Sequence, residues 1–212
     1  MSVFRGWDDY VERLERNWRA LVTPEDTVVI AGDVSWAMAI EDALEDFAFL
    51  NALPGRKLLF KGNHDYWWTT RRKMDTFLEK NGLTTLTIVH NDAVTVDDRF
   101  AVCGTRGWFY DESEPDNEKI MRREAARLKT SLDAALKTGL EPIVFLHYPP
   151  LYDGKGCDEL LEVLRGTPVK RCYYGHLHGG GIRLAFQDEW EGIRFKLTSC
   201  DALNFCPMLI PG

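Results

Sequence analysis

The stretch Gly62-Asn63-His64-Asp65 places three side chains capable of ligand or acid–base chemistry directly behind the apolar run Leu58–Phe60. Asn and Asp are depleted inside strands, so this cluster belongs at a strand's end. Three other stretches repeat the arrangement. Val28–Ile30 leads through a Gly-Asp turn to Asp33, "IVFLH" ends at His147, and "CYYGHLH" ends at His176 and His178. These strand ends hold four of the five histidines. Oxygen and nitrogen donors with no thiolate among them suit divalent Mn, Fe, Zn or Mg better than a structural zinc. His176 and His178 are two apart, so in an extended segment they share a side and reach one site or two adjacent ones. Glycines beside Asp33, Asn63 and His176 permit tight turns and close backbone approach.

Each residue also has a plainer reading. Asp33 alone is a turn or helix-start residue, and His147 alone is a core histidine. Two histidines in the Gly-rich "GHLH" turn have little packing value, and the recurrence at strand ends points to a metal site. His90, in "IVHND", has no partner motif and reads as a loop histidine. Trp67 and Trp68 read as the start of a helix with at least one in the core. Stacking on a substrate base is their lesser alternative.

Alternating elements position these residues. "DDYVERLERNWRALV" carries Tyr10, Val11, Leu14, Trp18 and Leu21 at helical spacing. "IEDALEDFAFLNALPG" repeats at Ile40, Leu44, Phe47 and Leu50 and stops at Pro54-Gly55. "WTTRRKMDTFLEKNG", "NEKIMRREAARLKTSLDAALKTG" and "CDELLEVLRG" read as further helices. "TVVI", "KLLF", "PIVFLH" and "KRCYYGH" read as strands; "TIVH", "AVTV" and "FAVCGT" read as a β-rich meander. The tail "IRLAFQDEWEGIRFKLTS" reads as a hairpin turning at Asp188 to Gly192. Strand–helix alternation predicts α/β layers, with the β-rich parts in a second sheet or an edge extension. In such sheets ligands bind at the carboxyl ends of strands.

Length and composition set the frame. The 212 residues show no repeat, low-complexity tract or linker, and read as one domain spanning 1–212. No apolar run is long enough to cross a bilayer. The polar start "MSVFRGWDDYVERLERNW" does not read as a secretory signal. Five scattered cysteines form no CxxC pair and make a poor disulfide framework, so a reducing cytoplasmic setting is expected. The net charge of −7, with no basic block, argues against nucleic acid as a partner and leaves a nucleotide open. For an anionic substrate, something local must offset the carboxylates.

Taken in order, "GDVSW", "GNHD", "LHYPP" and "GHLH" resemble the successive blocks of calcineurin-like metallophosphoesterases, from about Val28 to the C-terminus. "SWAM" and "KGNHDYWW" further resemble a bacterial branch of predicted phosphohydrolases. The resemblance implies a four-layer β-sandwich flanked by helices and a two-metal site at the strand ends. It implies Asp33 as the bridge between metals, Asn63, His147 and His176 as further ligands of one metal, and His178 as a ligand of the other. His64 would face the substrate phosphate and protonate the leaving oxygen, with Asp65 orienting its ring. The metal is expected to be Mn²⁺, with Fe, Zn or Mg as alternatives. Two metals roughly 3.5–4 Å apart clamp a phosphoryl group and make a nucleophile from water near neutral pH. Metals, rather than lysines, would then attract a small phosphate-ester substrate, a mono- or diester. The family's opening block, a strand ending in Asp-x-His that ligates the first metal, has no counterpart here. The first strand is therefore expected to be missing and its sheet edge exposed. One metal position, rather than two, is expected to bind well, and activity is expected to be impaired. A truncated start is favoured over a natural short form. The alternative function is a non-catalytic relative that binds metal or protein on the same fold; retention of His64 favours the enzyme.

Overall fold

A computed structural model describes residues 6–109 and 116–211. The chain opens with helix α1 (Tyr10–Leu21), whose Trp18 is buried and donates its indole N–H to the Pro54 carbonyl at 2.9 Å. Asp9 sits at its N-cap in a left-handed conformation, in keeping with a helix-start acid. Strand β1 (Thr27–Ile30) is followed by a 3-10 turn, Ile40–Ala43, and helix α2 (Leu44–Ala52). Then come β2 (Arg56–Leu59), α3 (Arg71–Lys80) and β3 (Leu86–Ile88). These three strands form a parallel sheet in the order β1-β2-β3. Among the described residues β1 pairs only with β2, and it is half-exposed along its length.

The second half supplies β4 (Val94–Val96), β5 (Phe100–Thr105), the long helix α4 (Asn117–Leu136), β6 (Glu141–Leu146), a small hairpin of β7 (Leu151–Tyr152) and β8 (Lys155–Gly156), and helix α5 (Asp158–Leu164). It ends with β9 (Arg171–Tyr174), β10 (Glu189–Trp190) and β11 (Ile193–Leu197). The second sheet runs β10-β11-β9-β6-β5-β4, parallel at its centre with an antiparallel strand at each edge.

Three apolar clusters account for the layering. Trp18, Phe47, Leu50, Met74, Leu78 and Ile88 cement the first helices onto the first sheet. Leu128, Leu132, Leu160, Val144 and Phe195 do the same for α4 and α5 on the second. Leu58, Phe60, Val102, Phe145 and Tyr173 fill the space between the sheets. The result is helix, sheet, sheet, helix: the four-layer sandwich expected of the chain. Both faces of the central strands are buried, which is why they read as unbroken apolar runs. Lys57 is the exception on β2. It is fully buried, and its ammonium donates to the Leu53 and Gly55 carbonyls at 2.6 and 2.8 Å, tying the α2–β2 turn.

Several expectations need correction. Trp67 and Trp68 precede α3, which starts at Arg71; Trp67 is core, packed edge-on to Phe47. β3 does not join a meander with β4 and β5. It pairs parallel with β2 in the first sheet, while β4 and β5 form a hairpin in the second. The C-terminal hairpin turns tightly at Glu191-Gly192, and Ile182–Leu184 lie in a 3-10 helix (Gly179–Leu184) rather than a strand. All five cysteines are free. Among the described residues no helix is long and apolar enough to cross a membrane.

Candidate metal centre

Parallel pairing brings the carboxyl ends of β1, β2, β6 and β9 to one edge of the sandwich, and the loops there carry the predicted ligands. The first pair of loops is interlocked. Asp33 takes a left-handed backbone, φ 56, and its Oδ1 accepts the His64 N–H at 2.9 Å. Gly62 is required at this contact: a Cβ there would lie 2.0 Å from Asp33 Oδ1. Gly32 has φ 104, and a Cβ on it would meet Gly62 Cα at 2.6 Å.

The second pair comes from the other sheet. His147 is almost wholly buried, and its Nδ1 lies 3.0 Å from the Ala31 carbonyl oxygen, which can only accept. The proton therefore resides on Nδ1, and the Nε2 lone pair points the other way. It meets Asn63 Oδ1 at 2.6 Å, His176 Nδ1 at 3.2 Å and Asp33 Oδ2 at 3.5 Å. His176 Nδ1 is itself 3.0 Å from Asn63 Oδ1. Burial holds both imidazoles well below the usual histidine pKa, at about 3, with His147 as the next cause for His176. Both rings are thus neutral at ordinary pH.

This is a set of acceptors facing one another. One proton on His176 Nδ1 can serve only one of its two neighbours, leaving lone pairs opposed at short range in a buried place. Such an arrangement costs free energy unless a cation stands among the donors. Ligand atoms about 2.1 Å from a cation and at right angles to one another stand roughly 3.0 Å apart. The observed 2.6–3.2 Å separations fit that spacing. The set is open: among the described residues no three His, Cys, Asp or Glu side chains close on a common point. Asn63, His147 and His176, with Asp33 at the rim, would hold the ion, and Ala31 supplies the carbonyl that orients His147.

His178 takes a different partner. The backbone is not extended at His176, where φ is 70, so the two rings do not act as a simple same-side pair. His178 Nδ1 lies 2.8 Å from Asp201 Oδ1, while Asp201 Oδ2 accepts the Gly179 N–H at 2.9 Å. Trp7 packs edge-on against the ring. Asp201 was not foreseen. Its signal was available, because it lies just past the end of β11 as the other site residues lie past theirs.

His64 and Asp65 part company. The His64 ring stacks on Trp36 at 4.1 Å, and its Nδ1 lies 2.9 Å from Tyr66 Oη. Asp65 does not orient it, contrary to the expectation from adjacency. Asp65 is buried, and both oxygens are fully engaged elsewhere. Oδ1 accepts from Val34 N, Ser35 N and Trp67 Nε1 at 2.8, 3.1 and 3.0 Å. Oδ2 accepts from Asp33 N and Gly62 N at 2.9 and 2.7 Å. Burial raises the Asp65 pKa, against the pull of these N–H donors. Asp65 is the clasp that shapes the Asp33 loop, and Trp36 and Tyr66 hold the histidine.

On the far side, Tyr148 and Phe109 pack against His176 at 4.3 and 5.8 Å. Phe109 belongs to the "TRGWFYDESEPDNE" stretch, which reads either as a cap on the site or as a solvated connector. Its start lies at the site, and residues 110–115 are outside the described ones.

The family model for calcineurin-like phosphoesterase matches residues 4–180. No curated protein matches. Among solved structures, the chain is similar to the protein of unknown function AQ665 from Aquifex aeolicus. That match has 18% identity and a TM-score of 0.46, over 97% of this chain and 82% of that one. A second solved structure matches at 15% identity and a TM-score of 0.43, over 66% of this chain and 58% of the other.

Proposed function

The chain belongs to the calcineurin-like phosphoesterases, and from that premise we propose that it hydrolyses a small phosphate ester at the Asp33–Asn63–His147–His176 centre with His64 as general acid. Family membership carries a general phosphoesterase role and dependence on divalent metal; the residue roles, the preference for Mn²⁺ and a cytoplasmic setting belong to the proposal. The observation that carries it is the convergence of Asn63 Oδ1, His147 Nε2 and His176 Nδ1 at 2.6–3.2 Å. Opposed lone pairs among Asn63, His147 and His176, beside a half-buried histidine at the rim, suit an electrophilic centre with a proton donor next to it.

A divalent cation bound there supplies charge for the phosphoryl oxygens and a water-derived nucleophile near neutral pH. The protein's own groups do the rest. Asn63 gives a neutral oxygen, so the site stays net positive toward an anion. Asp33, His147 and His176 fix the electrophile relative to the strand ends. Tyr66 engages His64 Nδ1, which leaves Nε2 to carry the proton delivered to the leaving oxygen. Stacking on Trp36 keeps the ring in place at the rim. A positioned acid of this kind contributes about 10²–10⁴-fold.

The test is hydrolysis of p-nitrophenyl phosphate and bis(p-nitrophenyl) phosphate by the chain with added Mn²⁺, Mg²⁺, Zn²⁺ or Fe²⁺. Metal-dependent turnover that Asn63→Ala removes is expected. Cation binding by calorimetry with no turnover on any ester would instead favour the non-catalytic relative.

A further inference from the structure

Beside the metal centre, at the carboxyl ends of β2, β3 and β5, lies a cavity of about 210 Å³ that the proposed reaction does not use. Lys61, Trp68, His90, Thr105, Arg106 and Arg127 line it. Three of these are cations in a chain whose net charge is −7. The acid among them is Glu124 of α4, wholly buried and already committed. It accepts from Thr105 Oγ1 at 2.8 Å and from Arg127 at 2.7 Å, with Arg106 and Arg123 each 3.6 Å away. Lys61 forms no hydrogen bond or ion pair among the described residues.

Two further donors are idle. Trp68 Nε1 and Arg106 Nε are buried and find no hydrogen-bond partner among the described residues. Unsatisfied buried donors are costly and call for an explanation. The cations around the cavity repel one another and favour an anion. Burial, then Arg127 and Lys61, press the His90 pKa down. The volume is below the about 300–1,000 Å³ of pockets for drug-sized ligands, so a small group fits the space better than a whole nucleotide.

We propose that this cavity is a subsite for a tetrahedral oxyanion of the phosphate or sulfate type, held by Lys61, Arg106, Arg127 and the Trp68 indole N–H. Arginine forks and an ammonium are the usual partners of such groups. The oxyanion comes either from a second anionic group on the substrate or from free inorganic phosphate. Only the first source rests on the function proposed above, since it requires the chain to turn over an ester.

The binding test uses the full chain stripped of metal with a chelator. Sodium phosphate is titrated at constant ionic strength while the indole N–H resonances are followed by NMR, with Trp68 assigned through Trp68→Phe. A saturable shift of the Trp68 signal is expected. Lys61→Met and Arg127→Gln should each weaken it about ten-fold, as for loss of one charge-assisted contact. Lys61→Arg should restore it. Absence of a saturable shift, or equal binding by Lys61→Met and Arg127→Gln, would overturn the proposal. Kinetics then separate the sources. A KM raised about ten-fold by Lys61→Met only for an ester bearing a second phosphate assigns the site to substrate. A KM unchanged for all esters assigns it to free phosphate. Complete absence of hydrolysis would remove the proposed function and leave the phosphate titration standing.

Discussion

Replacing Asp65 by Asn changes one atom in a buried clasp that serves five donors. Oδ1 receives three N–H groups and Oδ2 two. The carboxamide can turn its oxygen toward only one set. Its better choice faces Oδ1's three donors and sets an NH₂ against the N–H groups of Asp33 and Gly62. Two buried donors left unsatisfied at about 1–3 kcal/mol each cost roughly 2–6 kcal/mol. That is a large part of the about 5–15 kcal/mol that holds a typical domain together. For a chain of this size the melting temperature should fall by roughly 4–24 °C. The displaced loop carries Asp33, so cation affinity should fall as well. Calorimetric melting with and without Mn²⁺, beside a cation titration, reads both. If melting stays within about 2 °C and cation affinity is kept while only turnover drops, the clasp argument is refuted, and Asp65 must act through His64 after all.

His64→Ala should behave in the opposite way: melting and cation content unchanged, with turnover falling about two to four decades for an alkyl ester and much less for a nitrophenyl ester, whose leaving group needs no proton. Loss of the metal in that variant, or an equal loss on both esters, would make His64 a ligand or a binding group. Gly62→Ala puts a methyl 2.0 Å from Asp33 Oδ1, so expression, melting temperature and cation affinity should all drop; a well-folded Gly62→Ala that binds cation normally contradicts the geometry. Asp201→Asn alters the partner of His178, which stands outside the Asn63–His147–His176 cluster, so cation affinity should be kept in competition with a chelator; a loss of about 10–100-fold, the range for partners behind a ligand, would make His178 a ligand of that ion.

The layers were legible in the sequence because period and length carry them: unbroken apolar runs for β2, β6 and β9, and helical spacing for α1, α2 and α4. The ligand candidates were legible because each stands just past such a run. Adjacency misled where the backbone turns. Asp65 looks like a partner for His64, yet its donors include Asp33, Val34 and Ser35, some thirty residues earlier. His176 at φ 70 breaks the two-residue alternation on which the His176–His178 pairing was read. The cluster of Lys61, Arg106 and Arg127 was invisible, since no basic block exists and only the packing of α4 against β5 gathers it. β3 was misplaced because a three-residue strand carries no signal for which sheet it joins.

What the sequence could not convey is how two half-sites from different sheets meet. Within each sheet the register does the work. Ile30 pairs with Leu59 and Leu146 with Tyr174, so the turns after them leave at matched heights. Main-chain bonds extend that match beyond the strands: Phe60 N to Ile30 O, and Gly175 N to His147 O. Between the sheets no such ladder exists. Packed sheets lie about 10 Å apart, and their separation is set by Leu58, Phe60, Phe145 and Tyr173, with the Phe60 and Phe145 rings stacked at 5.9 Å. The His147–Ala31 bond, from one sheet's loop to the other's, then fixes the last ångström. Asn63 and His147 are 2.6 Å apart because an apolar core holds two independently registered sheets at one spacing. The ligand geometry is therefore a property of the sandwich interior as much as of the residues that face the ion.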